Sequence, residues 1–384
     1  MHLITNYACN RHTIGARAAL ALALLRYTTS LTTMPTTMTI SMSMSTSSSP
    51  SHRNRIVRGL LDRVKHNDRA GIAARSAVPF VIGNNSSQTP LGLVLPEAAN
   101  AFSKFPSVFS VNEHEVRLLD RNEWFGSGDE NENDDGSFLL NKRSEALREV
   151  LETMRDDQSV PALGGWRDEA FSVRESFHSP PLLIVERAAA VLFGVPAYGV
   201  FVNGYTCEEQ DGRPNRRPTH VWVGKRSPTK QTWPGRLDSL AAGGLGAGVL
   251  PRQAIRNECA EEAGIDATYL EERIQAVSAV SYTGFNDDMW GLKRDVLFCF
   301  DLELPQDFEP VPVDGEMESF EKIPINRLME LLAEPIRNED DSDNLWKPNV
   351  GVVLIDFLVR HGILDADDPC FLELIDALRG AKCA

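Results

Sequence analysis

The chain has 384 residues, of which 42% are hydrophobic and 24% are charged, so it is long enough for one large or two ordinary domains with a packed core. Its formal net charge of −15 argues against a general nucleic-acid binder, which carries a basic face. The 6 cysteines are scattered without a CxxC pair, so the sequence suggests neither a zinc site nor a disulfide framework and fits a reducing compartment.

The amino-terminal segment has an unusual charge pattern, because residues 1–61 contain arginines but no Asp or Glu. An Arg-rich, Ser-rich and acid-free segment is typical of a mitochondrial or plastid transit peptide. Its apolar run, Ala18 to Leu25, is too short to span a bilayer, although it could be the core of a secretory signal. We therefore expect residues 1–71 to be a disordered leader that directs the chain to a plastid or mitochondrion. If residues 1–71 contain no targeting signal, we expect a cytoplasmic location.

The segment that follows, residues 72–194, is predicted to form a smaller α+β domain. Short apolar runs bounded by Gly, Asn and Pro predict strands, and Ser-initiated or Gly-terminated runs predict helices. The predicted strands are Val78–Ile82, Leu91–Leu95 and Val116–Leu119, and the predicted helices are Ser144–Met154 and Leu183–Phe193. The acidic run Asp129–Asp135 is interpreted as a solvated loop. This domain either shapes the substrate pocket of its neighbour or is a structural appendage.

Residues 195–384 are predicted to form a second domain in which strands and helices alternate. The predicted strands are Tyr198–Val202, Val221–Lys225, Ala276–Ser281 and Arg294–Leu302, and the predicted helices are Ile325–Leu332 and Asn349–His361. Between them lies the stretch GGLGAGVLPRQAIRNECAEEAGI, residues 243–265, which predicts a glycine loop followed by a helix that ends at Gly264.

Three carboxylates cluster on that helix, because Glu258, Glu261 and Glu262 have the spacing i, i+3 and i+4. Like charges at this spacing destabilise a helix, and the helix dipole disfavours anions in its last turn. A hard divalent cation such as Mg2+ would remove both penalties and would share its ligands with substrate phosphates. Gly243 and Gly244 would let the backbone approach that substrate or metal closely. The alternative is a surface helix with a solvated acidic end.

Charged residues on either side of this stretch are further candidates for a site. Lys225, Arg226 and Lys230 precede it and could hold phosphate oxygens, or they could be ordinary surface cations. Glu316 and Glu318 follow it on a turn, and either could be the base or a further metal ligand of a hydrolase, with Glu318 slightly preferred. The alternative for both glutamates is a solvated turn.

The stretch resembles a Nudix box, G-x5-E-x7-R-E-U-x-E-E-x-G-U, where U is apolar. Gly243 and the run from Glu258 to Ile265 fall on the pattern in register. Val249 stands where the first Glu belongs and Asn257 where the Arg belongs, and in the family that pair mainly braces the loop. The three glutamates to which the resemblance assigns the metal are present.

The resemblance extends over residues 75–378, through segments such as GGWRDEAF, YGVFVNGY, SPTKQTWPGRLDSLAAGG and KPNVGVVLIDFLVRHG. These segments resemble the branch that comprises thiamine-pyrophosphokinase-related fungal proteins and plant organellar Nudix hydrolases, where an uncharacterised domain precedes the Nudix domain. The resemblance implies a Nudix α/β/α sandwich with a mixed sheet, preceded by the smaller α+β domain. An apolar residue in place of the first box glutamate is frequent in that branch.

The activity implied by the resemblance is a Mg2+-dependent diphosphatase, with Mn2+ as an alternative metal. The substrate would be a small molecule, thiamine diphosphate or its oxo and oxy analogues, hydrolysed to the monophosphate and phosphate, with no nucleic-acid or membrane partner. Aromatic faces such as Trp222, Trp233, Tyr282 and Trp290 could hold the cationic thiazolium ring, or they could belong to the core. The alternatives are a pyrophosphatase for a nucleoside diphosphate-linked substrate and a non-catalytic ligand-binding domain. The oligomeric state is left open.

Overall fold

A mixed seven-stranded sheet organises the carboxy-terminal half of the chain. The computed structural model describes residues 50–71, 73–83, 90–120, 136–210, 213–285, 290–336 and 344–380. The strands of this sheet are β7 (Pro196–Gln210), β8 (Arg213–Arg226), β9 (Leu237–Asp238), β10 (Ala241–Gly244), β11 (Gln275–Phe285), β12 (Leu292–Glu303) and β13 (Met317–Pro324). Their main order is β11-β12-β7-β8-β13, with β12 parallel to β7 and the other neighbours antiparallel. The short strand β10 pairs with the beginning of β7, and β9 pairs with the end of β8.

Helices cover both faces of this sheet. The helices of the carboxy-terminal half are α5 (Pro251–Ala263), α6 (Ala267–Arg273), α7 (Ile325–Leu332), α8 (Pro348–Arg360) and α9 (Phe371–Ala377). Alternate strand residues point to opposite faces, so Phe201 and Leu297 join a core with α7, α8 and α9, whereas Val200 and Phe300 join a core with α5 and α6. The α/β/α sandwich with a mixed sheet is thus confirmed.

The amino-terminal half has its own sheet and core, which confirms the preceding α+β domain. Four strands, β1 (Val78–Ile82), β2 (Gly92–Val94), β3 (Phe109–Val111) and β4 (Val116–Leu118), pair in the order β2-β1-β4-β3. Three helices, α2 (Pro96–Phe102), α3 (Ser137–Asp156) and α4 (Ala190–Phe193), and the hairpin of β5 (Ala170–Val173) and β6 (Leu183–Glu186) complete this half. At its centre Phe193 stacks on Phe102 and packs at a tilt against Phe80. The described residues of both halves belong to one compact unit, Ser48–Ala384.

Part of the segment that we expected to be disordered is helical. Helix α1 (Pro50–Asn67) buries Val57, Leu60 and Val64, whose i, i+3 and i+7 spacing places them on one face against α7, α8 and α9. The buried Arg63 donates from Nη2 to the carbonyl of Glu334, at 2.9 Å. The acid-free composition concealed this apolar periodicity, so the prediction of a disordered leader is wrong for residues 50–67. Residues 1–49 lie outside the described part of the chain.

The predicted helix over Leu183–Phe193 is also wrong. Leu183 and Val185 are buried while Ile184 and Glu186 are half-buried, which is the two-residue alternation of a strand. The strand pairs with Ala170–Val173, and a 3-10 turn over Arg187–Ala189 then leads into the short helix α4. The other predicted strands and helices of both halves are present, often longer than expected. The acidic run Asp129–Asp135 lies outside the described residues, and no helix among those described is long and apolar enough to cross a membrane.

Candidate active site

Helix α5 holds the three box glutamates beside the edge strand β10. Pro251 occupies the first turn, where its missing N–H costs nothing, and Gly264 ends the helix with a positive φ of 66°. Ala254, Ile255 and Cys259 are buried on the face toward the sheet. This packing fixes the helix so that its carboxy-terminal turn lies against the backbone of the glycine loop.

Glu258 lies directly over the backbone of Gly243. A Cβ built on Gly243 would be 1.8 Å from Glu258 Oε1, so only glycine leaves room for this carboxylate. Burial, followed by the charges of Glu316 and Glu261, raises the pKa of Glu258 to about 7. A carboxylate crowded by burial and by like charges is a position at which a cation would be stabilising.

Glu262 is only 1% exposed, and its Oε2 accepts a hydrogen bond of 2.9 Å from the backbone N–H of Ala242. Burial raises its pKa well above the ordinary value, and the nearby carboxylate of Asp238 adds to this effect. Glu261 projects to the exposed side of the same turn, while its backbone carbonyl accepts from the N–H of Asp314 at 3.1 Å. The structure therefore gives the three glutamates of the helix three different environments.

The segment from Val311 to Glu316 wraps around the end of α5 and brings a fourth carboxylate to it. The N–H of Val311 donates to the carbonyl of Ala263 at 3.1 Å, which with the Asp314–Glu261 contact ties the segment to the helix. Glu316 forms an ion pair with Lys230 and lies close enough to Glu258 to raise its pKa. Burial opposes the ionisation of Glu316, but its hydrogen bond to Lys230 and that residue's charge outweigh it and lower the pKa.

Glu318 lies two residues beyond Glu316, within β13, and has a different partner. Its carboxylate is 2.8 Å from the Nζ of Lys225, and both side chains are about half exposed, at 46% and 48%. The charges that raise the pKa of Glu258 include those of Glu316, Glu261 and Asp314 but not that of Glu318. Of the two predicted candidates, the structure thus brings Glu316 to the box glutamates and leaves Glu318 with Lys225.

Arg226 differs from the phosphate-binding residue that we expected. Its side chain is buried, and Nη1 donates to Asp238 at 2.8 Å. Nε donates to the carbonyl of Trp233 and Nη2 to that of Thr232, at 3.1 Å and 2.9 Å. Because all three nitrogens donate to protein acceptors, Arg226 braces the loop from 227 to 236 and presents no nitrogen without a partner to a phosphate.

Sequence reasoning missed three charged residues around the box. Asp238 is fully buried; burial alone would raise its pKa, but Lys347 and then Arg226 outweigh this and lower it. Lys347 donates to Asp238 at 3.0 Å and also acts on the pKa of Glu262. Arg187, from the amino-terminal half, places Nη1 3.4 Å from a Cβ built on Gly244. Arg187 and Lys347 lie far from the box in sequence, and nothing in the sequence marks Asp238, five residues before Gly243, as buried between two cations.

The donor chemistry of this cluster suits a divalent cation, because the hard oxygens of Glu258, Glu261 and Glu262 are the ligands that Mg2+ and Mn2+ prefer. Burial, and then repulsion from neighbouring carboxylates, raises the pKa values of Glu258 and Glu262, so a bound cation would stabilise their ionised forms. The described His, Cys, Asp and Glu side chains do not converge in a group of three that could hold a metal ion as they stand. The residues fit a metal by chemistry, and their side chains would adjust to bind it.

The two departures from the box pattern have simple local explanations. Val249, at the first glutamate position, is half-buried and packs against the apolar core that includes Ile255. Asn257, at the arginine position, is exposed. An apolar contact of the loop with the core therefore replaces the ionic brace.

Two family descriptions match the chain: "Domain of unknown function (DUF4743)" over residues 59–197 and "NUDIX domain" over residues 210–342. Nudix hydrolase 20, chloroplastic, of Arabidopsis thaliana is 32% identical over 378 residues, covering 96% of this chain and 91% of the relative. Nudix hydrolase 24, chloroplastic, of the same plant is 39% identical over 248 residues, covering 65% of this chain and 63% of the relative. Among solved structures, DR0079 from Deinococcus radiodurans aligns with a TM-score of 0.30 and 16% identity, covering 43% of this chain and 82% of that one.

The first of these relatives is matched over both halves of the chain, and the box lies within the residues that match the NUDIX domain. The chain belongs to the Nudix hydrolase family, which acts on diphosphate-linked substrates.

Proposed function

We propose that this protein is a Mg2+-dependent diphosphatase that hydrolyses thiamine diphosphate, or its oxo and oxy analogues, to the monophosphate and phosphate. The observation that carries the proposal is that Glu258 lies against Gly243 and Glu262 accepts from the Ala242 N–H, so both carboxylates lie along the backbone of β10, with the charge of Glu316 acting on Glu258. An acidic cluster at a glycine-lined edge, with lysines close by, suits a diphosphate that arrives with a divalent cation. The thiamine assignment is supported by the resemblance of the segments quoted from the sequence.

Each charged residue has a role in this proposal. Glu258, Glu261 and Glu262 would hold Mg2+ or Mn2+, which when bound offsets the charge of the diphosphate. Glu316 would orient the attacking water and accept its proton, and this role is supported by its ion pair with Lys230, which favours the ionised carboxylate. Gly243 and Gly244 let the diphosphate approach the backbone. Arg187, which also pairs with Glu169, and Lys347, which pairs with Asp238, would add positive charge beside the box.

The same proposal extends to domains and location. The boundary near residue 194, with an amino-terminal domain that shapes the pocket of its neighbour, is supported by Arg187, which reaches Gly244 from that domain. Organellar targeting is supported by the acid-free segment of residues 1–61 and by two relatives whose names include "chloroplastic". Fusion of residues 1–71 to a fluorescent protein would test the address: plastid or mitochondrial fluorescence supports it, and diffuse cytoplasmic fluorescence overturns it.

The decisive experiment is phosphate release by residues 48–384, the compact unit, with and without Mg2+. The substrates are thiamine diphosphate, oxythiamine diphosphate and ADP. Glu262→Gln removes a charge from the cluster but keeps an acceptor for the Ala242 N–H, and Glu321→Gln, an exposed carboxylate elsewhere on β13, is the matched control.

The proposal is supported if phosphate release needs Mg2+, is highest on the thiamine compounds, and is lost in Glu262→Gln but not in Glu321→Gln. Release mainly from ADP would keep the diphosphatase and discard the thiamine substrate. Turnover of a bridged nucleoside diphosphate instead of a terminal one would identify the pyrophosphatase alternative. A folded protein that binds these ligands with Mg2+ but turns none of them over would identify the non-catalytic alternative.

A further inference from the structure

The glycine loop between β10 and α5 has few means of holding its own shape. Residues 245–250 read LGAGVL and include no charged or polar side chain. Gly248 has a positive φ of 81°, and Leu250 is 65% exposed. Because no side chain of the loop can form a hydrogen bond or an ion pair, the loop can be fixed only through its backbone and its apolar contacts.

Backbone hydrogen bonds tie this loop to two parts of the chain. The N–H of Leu245 donates to the carbonyl of Tyr198 at 2.8 Å, which continues the pairing of β10 with β7. The N–H of Ala247 donates at 2.8 Å to the carbonyl of Ala170, the first residue of β5. The middle of the loop is therefore held by a strand of the amino-terminal half.

Side chains from the same hairpin cover the glycine that precedes the loop. A Cβ built on Gly244 would be 3.6 Å from Cζ of Phe171, on β5, and 3.4 Å from Nη1 of Arg187, immediately after β6. The ring and the guanidinium thus leave room for little more than a methyl group over the backbone of Gly244. Arg187 is held in turn, because Nη1 donates to Glu169 at 2.6 Å and the guanidinium lies 5.7 Å from the centre of the Phe171 ring.

Phe171 is placed by the core of its own half. It is 8% exposed, and together with Val173 it forms the buried face of β5. The amino-terminal core therefore holds the ring on one side, while the Cζ atom at its tip lies against Gly244 of the other half. The position of Gly244 thus depends on how the amino-terminal core is packed.

The glycine that these groups cover adjoins the one over which Glu258 lies. Gly243 precedes Gly244 on β10, and a Cβ on Gly243 would be 1.8 Å from Glu258 Oε1. A small shift of β10 would therefore either push this carboxylate away or open a gap beneath it. Misplacement by about 1 Å at an active site can lower the rate about a hundredfold.

We infer that the β5–β6 hairpin is part of the catalytic centre, in which Phe171 and the carbonyl of Ala170 are positioning groups for the glycine loop and, through it, for Glu258. Neither group touches the reacting atoms, because they act through Gly244 and Ala247. The hairpin lies within the residues that match DUF4743, so the inference gives that domain a defined role. It deepens the proposed function and rests on it for the reaction that the loop serves.

Three variants of the full chain test this inference. Phe171→Leu keeps an apolar side chain in the core but removes Cζ, the atom that lies over Gly244. Phe171→Met keeps an apolar side chain of about the original length and is the conservative comparison. Val173→Ala is the matched control, because Val173 is 2% exposed on the same face of β5 and its truncation disturbs the same core two residues away from the contact with Gly244.

Kinetics with thiamine diphosphate and thermal unfolding are measured for each variant. We expect Phe171→Leu to lower kcat about tenfold with KM within a few-fold of wild type, and Phe171→Met to retain most of the wild-type kcat. Val173→Ala should lower Tm at least as much as Phe171→Leu and leave kcat within a few-fold of wild type. A wild-type kcat in Phe171→Leu, or a kcat that falls in parallel with Tm in all three variants, would overturn the inference.

Hydrogen exchange separates this inference from the proposed function. If the protein turns over no diphosphate, the proposed function fails, and exchange of the amides of residues 245–250, followed by mass spectrometry, still tests the contact. Exchange of this segment that is about tenfold faster in Phe171→Leu than in Val173→Ala supports the inference. Equal exchange of the segment in the two variants overturns it.

Discussion

Arg226 and Asp238 form a buried ion pair, in which Nη1 of the arginine is 2.8 Å from Oδ2 of the aspartate. Their side chains are 6% and 0% exposed, and Lys347 contacts the same Asp238 oxygen at 3.0 Å. Because Asp238 also raises the pKa of Glu262, this pair links the loop that Arg226 braces to the box helix.

Arg226→Met should destabilise the protein by about 3–5 kcal/mol, because it leaves Asp238 buried with only one of its two cationic partners. Lys225→Met is the matched control from the adjacent position. Lys225 pairs with Glu318 on the surface, so its loss should cost less than about 1 kcal/mol. Denaturant unfolding of both variants gives the comparison, and similar losses for the two would show that the buried pair contributes no special stability.

Gly243→Ala should abolish activity, because the added Cβ would overlap Glu258 Oε1 and displace that carboxylate. Its loss of stability should be smaller than that of Arg226→Met. Gly246→Ala is the control in the same loop, since the nearest atoms to its Cβ are 3.9 Å away. Phosphate release and thermal unfolding are measured for both variants. An active Gly243→Ala enzyme would show that the position of Glu258 over the glycine is not needed for turnover.

Glu316, just before β13, and Glu318, within it, should differ in their effect on turnover. Glu316→Gln removes a carboxylate that lies with the box glutamates, and we expect kcat to fall about a hundredfold or more. Glu318→Gln breaks a half-exposed ion pair with Lys225 and should leave kcat within a few-fold of wild type. The reverse order of effects would restore Glu318 as the base, which is the residue that the sequence alone slightly favours.

The box and most strands could be predicted because their signals are local. The box is identified by the spacing of Gly243, Glu258, Glu261 and Glu262, and the strands are identified by their runs of β-branched residues. The roles of Lys225, Arg226 and Lys230 could not be predicted, because three nearby cations face three different surroundings that depend on β13 and β9. Composition also gave a wrong prediction for residues 50–67, because their charge pattern is typical of a transit peptide although their apolar residues form one face of a helix.

Arg187→Ala should raise KM for a diphosphate substrate about tenfold and change kcat less, because the guanidinium lies beside Gly244 and would contact the diphosphate. Arg148→Ala is the control from the same half of the chain, since Arg148 pairs with Glu152 on an exposed helix face. Steady-state kinetics of both variants give the comparison. An unchanged KM in Arg187→Ala would mean that the amino-terminal half contributes no charge to substrate binding.

Stability without metal should fall as pH rises from about 5 to 8. Burial and like charges raise the pKa of Glu258 to about 7, and burial raises that of Glu262, so the folded state binds protons more tightly than the unfolded state in this range. A raised carboxyl pKa gives stability below the folded-state value, and that stability is lost as pH rises through it. The loss from Glu258 should be at most about 3 kcal/mol.

Mg2+ should reverse this trend, because a cation bound by ionised carboxylates stabilises the folded state most at pH 8. Thermal unfolding at pH 5.5, 7 and 8, with and without Mg2+, measures both effects, and Glu258→Gln should flatten the metal-free profile and reduce the response to Mg2+. Glu321→Gln, an exposed glutamate, should leave both unchanged. If metal-free stability instead rises with pH in this range, Glu258 does not carry the raised pKa, and the crowding of carboxylates inferred around α5 is wrong.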